Sequence, residues 1–146
     1  MKKAHFLMLI LLSFSLTGFS QADKIVGKWK TIDDETGSAK SIVRIYKSPN
    51  GKYYGKIEKL FKQPDKLCVE CEGANKDKPM LGMVIINGME LQNNELRNGT
   101  ILDPKNGEVY YCSITYDAKT KNLNVRGSLD KSGWIGRNQT WLRVVE

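Results

Sequence analysis

The feature that most constrains this chain is the close spacing of its turn signals. Asn-Gly occurs four times, at Asn50-Gly51, Asn87-Gly88, Asn98-Gly99 and Asn106-Gly107. This dipeptide suits the positive φ angles of tight hairpin turns. Polar stretches at 33–37, 117–122 and 130–133 are typical of further connections. Turns spaced so closely leave room for short strands and little else.

The runs between these turns are rich in β-branched and aromatic residues. Val43 and Ile45 alternate with Arg44 and Tyr46, as expected for a strand with one buried face. Sequential hairpins need no long crossovers, so the pattern favours an all-β fold, an antiparallel up-and-down β-barrel, over a sandwich. We predict eight strands, at 26–32, 40–48, 52–61, 81–86, 100–103, 108–116, 122–129 and 137–145.

One connection is too long for a hairpin turn. Residues 62–80, "KQPDKLCVECEGANKDKPM", are polar and carry two prolines and the pair Cys68 and Cys71. We interpret this segment as a long loop, the kind of segment in which function or disorder is concentrated.

The N-terminus has the form of a secretory signal peptide. Lys2 and Lys3 precede the apolar run Phe6–Leu16, and Ser20 and Ala22 provide the small residues of a cleavage site. The apolar run is shorter than the roughly 20 residues of a bilayer span, so no stable membrane insertion is expected. We therefore predict a signal peptide at 1–22, one domain at 23–146, and a periplasmic or extracellular location.

Composition limits the possible functions. Cleavage would remove His5, the only histidine, and with it any Ser-His or Cys-His mechanism or histidine-ligated metal. We expect no catalytic residues, no metal and no cofactor. The remaining chain has 21 Lys and Arg against 16 Asp and Glu, a net charge of +5, with its lysines spread singly. This pattern indicates a solvated exterior and not a nucleic-acid surface.

The cysteines allow three interpretations. A zinc site lacks ligands, and a redox pair lacks the helix N-terminus that lowers a thiol pKa. An exported chain favours a disulfide. We prefer Cys68–Cys71 with Cys112 buried, and Cys71–Cys112 is the alternative pairing.

Seven ordered motifs carry a family resemblance. "GKWKT", "KSIVRIYK", "KYYGKI", the C-x-x-C with "KDKPMLGM", "GTILDPKNGEVYYC", "LNVRG" and "GRNQTW" resemble the DUF2147 family of small secreted bacterial proteins. The resemblance implies a lipocalin-like barrel. In lipocalins a first-strand tryptophan plugs the closed end against a last-strand arginine. Trp29 would be that tryptophan and Arg137 or Arg143 that arginine, with Trp141 also structural.

The family carries no assigned activity, so function must be argued from residues. A barrel interior either is filled by side chains or holds one ligand. Our first hypothesis is a binding protein for a small hydrophobic or amphipathic molecule; the alternative is a filled barrel that acts as a structural or interaction module with an envelope protein partner. The candidate ligand-binding residues, which a cavity would require to face inward, are Tyr54, Arg126, Trp134, Arg137 and Gln139.

Overall fold

The chain forms one closed barrel of eight antiparallel strands in sequence order. The computed structural model describes residues 21–145. A short helix and eight strands follow one another, with a 3-10 helix at Gly73–Asn75 between β3 and β4: α1 (Gln21–Ile25), β1 (Gly27–Ile32), β2 (Ala39–Lys47), β3 (Tyr53–Leu60), β4 (Val84–Gln92), β5 (Glu95–Asp103), β6 (Glu108–Asp117), β7 (Asn122–Ser128) and β8 (Gly136–Arg143).

Closure is made by the first and last strands, where Trp29 faces Arg143 and Lys30 faces Leu142. Every strand therefore has two neighbours, and the predicted up-and-down barrel is confirmed. Because the strands alternate in direction, the connections after β1, β3, β5 and β7 lie at one end, called here the open end. The turns after β2, β4 and β6 lie at the other, the closed end, where β1 begins directly after α1.

Two of the four Asn-Gly pairs make turns, and two do not. Asn50-Gly51 and Asn106-Gly107 connect strands as predicted, with positive φ at both glycines. Asn87-Gly88 lies inside β4 and Asn98-Gly99 inside β5, and the strand register shifts near each pair. The prediction of turns there was wrong, and the strands predicted at 81–86 and 100–103 overlap β4 and β5 but miss more than half of each.

The turn between β4 and β5 is instead Asn93-Asn94. Both residues have positive φ, 49° and 65°. Asparagine is the non-glycine residue that tolerates this region best, and two successive positive φ angles are what a tight hairpin turn requires.

The barrel interior is filled by apolar side chains that alternate along the strands. Trp29, Val43 and Ile45 have no exposed surface, and neither do Ile86, Met89, Leu96, Ile114 and Leu123. These residues come from six different strands, so one continuous core fills the part of the tube toward the closed end.

No helix among residues 21–145 is long and apolar enough to cross a membrane. Residues 1–20 of the predicted signal peptide lie outside the described residues. Its last two, Gln21 and Ala22, belong to α1, where Ala22 is 4% exposed.

Candidate functional site

The closed end is held by Trp29 and Arg143. The guanidinium carbon of Arg143 lies 3.9 Å from the centroid of the Trp29 ring, a cation–π contact. Arg143 also donates hydrogen bonds to the carbonyl oxygens of Val26, at 3.1 Å, and Lys24. The Trp29 indole donates to Ile25 O at 2.7 Å. Of the two candidate arginines, Arg143 is therefore the one that packs on Trp29, and together they attach α1 to the barrel.

The open end carries a chain of polar contacts that starts from Trp141. The Trp141 indole donates to Gln139 Oε1 at 3.2 Å, and Gln139 Nε2 donates to Asp34 Oδ2 at 2.8 Å. Arg137 Nη1 lies 3.5 Å from the same carboxylate oxygen. Arg137, Gln139 and Trp141 are alternate residues of β8, so their side chains share the inner face. The structure thus groups two of the predicted ligand-binding residues around Asp34.

The β1–β2 loop, residues 33–38, crosses the open end. Arg137 and Gln139 hold it on the β8 side through Asp34, and Lys105 reaches Glu35 from the β5–β6 turn at 3.2 Å. In an eight-stranded barrel the β5–β6 turn lies opposite β1 and β2, so the contact with Lys105 spans the open end. The hydrogen bond from Lys105 to Glu35 raises the pKa of Lys105. Both side chains are largely exposed, so this pair contributes little to stability.

The loop itself is shaped by Asp33. Its carboxylate accepts hydrogen bonds from the backbone N–H groups of Thr36, at 2.9 Å, and Glu35, at 3.1 Å. These bonds, with that to Thr36 the strongest, lower the pKa of Asp33. The acidic residues at 33–35 are therefore turn and anchor groups and are not a facing pair of carboxylates.

Three other predicted ligand-binding residues lie outside the barrel. Arg126 and Tyr54 are on the outer faces of β7 and β3, and Tyr54 stacks on Tyr46 with ring centroids 6.1 Å apart. Trp134 is 86% exposed in the β7–β8 loop. The expectation that these side chains face inward was wrong. The reason is strand parity for Arg126 and Tyr54, since their neighbours Val125 and Tyr53 take the buried positions.

The β7–β8 loop, residues 129–135, is held by hydrogen bonds within the loop and to β7. The Asp130 carboxylate accepts from the Ser132 hydroxyl, from Ile135 N at 2.7 Å and from Trp134 N at 3.0 Å. These bonds, led by that from Ser132, lower the pKa of Asp130 to about 2. Arg126 donates to Gly133 O at 2.6 and 2.8 Å from its two nitrogens. The loop is thus fastened to β7 while Trp134 remains outside.

The cysteine pair forms the predicted disulfide. Cys68 and Cys71 are bonded, with exposures of 0% and 1%, in the long loop between β3 and β4. The loop packs on the β5–β6 turn, where a Cβ on Gly107 would collide with Glu70 O. The disulfide therefore ties a tight turn within this loop, and Glu70 inside that turn packs on the barrel rim.

Cys112 is a free thiol on the inner face of β6. It is 6% exposed, and burial raises the pKa of its thiol to about 12. A thiol that stays protonated at neutral pH is a poor nucleophile and ligand. Within residues 21–145, no group of three or more His, Cys, Asp or Glu residues is arranged to hold a metal ion.

Sequence reasoning missed two residues that organise these loops, Asp34 and Asp130. Both stand in turn-like stretches, where an acidic residue is ordinary. The only available signal for Asp130 was the following Ser132 and Gly133, which is a pattern of Asx-type turns. Nothing local identified Asp34, because its partners Arg137 and Gln139 lie about a hundred residues later.

The closed barrel, the helix at its closed end and the Trp29–Arg143 contact define a lipocalin-like protein. A search of solved structures gives a matching chain, "Protein HP1028 from the human pathogen Helicobacter pylori belongs to the lipocalin family", with a TM-score of 0.73, 19% identity and 83% coverage of each chain. At this identity the likeness shows the fold alone.

Residues 27–143 match the model of the family described as "Uncharacterized protein conserved in bacteria (DUF2147)". The chain belongs to this family, as its seven motifs indicated. No curated protein matches the chain.

Proposed function

We propose that this protein is a non-catalytic interaction module of the cell envelope, in which the barrel is a packed scaffold and the outer surface makes the contacts. The observation that supports this proposal is the packing of the inner face. A side chain that bordered an internal void large enough for water would have exposed surface. Trp29, Ile86, Met89, Ile114 and Leu123 have none.

The clefts of the described surface also support the proposal. Two clefts lie outside the barrel, beside the β7–β8 loop, and share Arg126, Ser132 and Gly133 in their linings. Ligand pockets of lipocalin size need several hundred Å³ of concave, mostly apolar space. A ligand in the closed-end half of this barrel would first have to displace its core.

A small-molecule test with a built-in positive control addresses the proposal. The wild-type protein should bind neither xenon nor benzene, and fatty acids should leave its tryptophan emission unchanged. Leu123→Ala, which removes a fully buried side chain, should create an apolar cavity and gain binding of these probes. This variant shows that the assay detects interior binding.

A second candidate function is favoured by one observation at the open end. The inner-face residues Ile101, Tyr110 and Gln139 are only half-buried there, beneath the β1–β2 loop. A small amphipathic ligand could lie at that level if the Asp34 contacts opened. Native mass spectrometry of protein purified from its own host distinguishes the two functions. A stoichiometric co-purifying lipid, lost in Gln139→Ala, would refute the packed-scaffold proposal.

A further inference from the structure

A groove runs along the outside of the barrel beside the β7–β8 loop. It consists of two adjoining clefts of about 260 and 240 Å³. Arg126, Ser132 and Gly133 border both clefts, Trp134 borders the first, and Tyr111 borders the second. We call this surface the outer groove and define it by Arg97, Tyr111, Arg126, Lys131, Ser132 and Trp134.

The wall beneath the outer groove is polar and nearly uncharged. The outward residues of β6, β7 and β8 form rows of cross-strand neighbours, which lie about 5 Å apart. Three of these rows lie in the middle of the strands, and apart from Tyr111 and Arg126 their residues carry hydroxyl or amide groups. The rows are Tyr111–Ser128, Ser113–Arg126–Asn138 and Thr115–Asn124–Thr140.

The opposite wall of the barrel is different. There Lys28 faces Arg44, and Arg44 faces Lys56. Glu58 pairs with Arg44 and lies 3.9 Å from Lys28. The hydroxyl and amide rows on β6–β8 are therefore a property of one side of the barrel and not of its surface in general.

The outer groove carries positive charge without acidic side chains in its lining. Arg97, Arg126 and Lys131 border the second cleft, and no Asp or Glu does. Arg97 is paired with Glu95, and Arg126 is bonded to loop carbonyls and to Asn138 at 3.1 Å. Among the described residues Lys131 forms no ion pair. The groove should attract an anionic group.

Two aromatic side chains face solvent along the groove. Trp134 is 86% exposed and Tyr111 is 45% exposed. Trp134 is not on a loose segment, because its N–H and carbonyl are bonded to Asp130 and Arg126. A large aromatic ring whose backbone is held by hydrogen bonds binds a flat partner at less cost in conformational entropy than one on an unbonded segment.

We propose that the outer groove binds an acidic saccharide. Tyr111 and Trp134 stack on the C–H faces of sugar rings, the serine and asparagine side chains bond to hydroxyl groups, and Lys131 with Arg126 meets the acidic substituents. This inference rests on the proposed function only in placing binding on the outside of the barrel, and it supplies the chemical class of the partner.

An anionic membrane surface fits less well. Leu129 and Ile135 are also exposed beside Trp134, at 66% and 64%, which would suit insertion into lipid. However, the connections of the open end, residues 33–38, 61–83, 104–107 and 129–135, carry eight acidic and six basic side chains. A membrane would meet this whole end, whose net charge of −2 opposes approach to anionic lipid, whereas a saccharide would contact only the groove, which no Asp or Glu lines.

Calorimetric titration with defined hexasaccharides tests the proposal. The probes are an oligogalacturonate, a sulfated heparin fragment and neutral maltohexaose. We expect at least one acidic probe to bind tenfold or more tightly than the neutral one, with affinity falling as salt rises. Binding should also change tryptophan emission, and the change should come from Trp134 because Trp29 and Trp141 are 0% and 2% exposed.

Variants separate groove binding from general charge. Lys131→Glu and Trp134→Ala should each weaken binding of the acidic probe at least fivefold. Matched controls at the closed end and on the opposite wall, Lys119→Glu and Tyr46→Ala, should leave it unchanged. Tyr111→Ser tests the second aromatic ring of the groove without changing the β7–β8 loop.

Equal affinity for acidic and neutral probes would overturn the proposal, and so would equal losses in the control variants. Binding to phosphatidylglycerol vesicles without binding to any saccharide would assign the groove to a membrane instead. The xenon and benzene results report on the interior, so a packed interior with no saccharide binding would reject this inference and leave the scaffold proposal standing.

Discussion

Arg143 packs its guanidinium on the ring of Trp29, 3.9 Å from the ring centroid, and donates to two carbonyl oxygens of the segment that precedes β1. One side chain from the last strand therefore joins the first strand, the N-terminal helix and the barrel seam. The β1–β8 pairing is the shortest in the barrel, since only two residue pairs face each other along the seam.

We predict that Arg143→Ala destabilises the protein by about 2–4 kcal/mol, from the loss of charged hydrogen bonds and a cation–π contact. Arg143→Lys should recover only part of the lost stability, since an ammonium cannot reproduce the planar guanidinium and its several N–H donors. Urea unfolding measures the free energy of unfolding of both variants. Arg137→Ala is the control, because Arg137 is a 67% exposed partner of Asp34 and should cost less than about 1 kcal/mol.

Equal losses in Arg137→Ala and Arg143→Ala would show that the seam does not depend on the Trp29 contact.

A second prediction concerns the three cysteines. The Cys68–Cys71 bond closes only a small ring. The chain-entropy model therefore gives it a stabilisation of about 2 kcal/mol. We expect Cys68→Ser/Cys71→Ser to lower the free energy of unfolding by about that amount while the far-ultraviolet circular dichroism of the barrel stays unchanged.

Thiol labelling checks the same assignment. The native protein should react with no thiol reagent, because Cys112 is buried and its thiol pKa is about 12, and the unfolded, unreduced protein should expose one thiol. Rapid labelling of the native protein would contradict the buried position of Cys112, and three labelled thiols without reductant would contradict the disulfide.

A third prediction uses two glycines with similar positive φ angles. Gly107 and Gly51 have φ of +74° and +83°, so alanine is strained at either position. At Gly51 nothing lies within 4 Å of the added Cβ, whereas at Gly107 it would collide with Glu70 O. Gly51→Ala should cost about 1–2 kcal/mol from strain, and Gly107→Ala about 1–3 kcal/mol more.

Gly107→Ala should also speed proteolysis within residues 61–83, because the cysteine loop must move off the β5–β6 turn. Cleavage at the wild-type rate would mean that the loop is held elsewhere.

A fourth prediction is a pH titration of the β7–β8 loop. The pKa of Asp130 in the folded loop is about 2, below the 3.8 of a free side chain, so the carboxylate is favoured by folding. The stabilisation of the loop by Asp130 is complete above about pH 4 and is lost as the pH falls through 2. Amide chemical shifts of Trp134 and Ile135 should titrate together with a midpoint near 2.

Asp130→Asn should abolish this titration and speed amide exchange at Trp134 and Ile135 severalfold. Asp117→Asn, which affects a similar turn between β6 and β7, is the control and should leave both amides unchanged. A midpoint near 4 in the wild type would show that the Asp130 carboxylate is not held by the loop.

Local sequence predicted most of the strands correctly and failed where pairing partners decide the outcome. Asn-Gly at 50–51 and 106–107 makes turns, but the same dipeptide at 87–88 lies within β4 and at 98–99 within β5. A positive φ is compatible with either a turn or an irregular strand. The long pairing of β4 with β5 selected the strand and moved the turn to Asn93-Asn94.

The candidate site could be predicted only in part, for a related reason. Alternation indicates that every second residue of β7 is buried, but it does not indicate whether Arg126 or Val125 takes the inner face, since that depends on register. Arg126 turned out to fasten an outer loop and leave Trp134 in solvent. Arg137 and Gln139 do share the inner face of β8, where they meet Asp34 of a distant loop.

The sequence by itself determined the all-β class, the number of strands, the position of the long cysteine loop and the family, because these follow from period, turn chemistry and ordered motifs along the chain. The tertiary structure decided which arginine meets Trp29, that the interior toward the closed end is packed, and that Trp134 and Arg126 lie outside. These depend on contacts between residues far apart in sequence, and closure of the barrel fixes them all together.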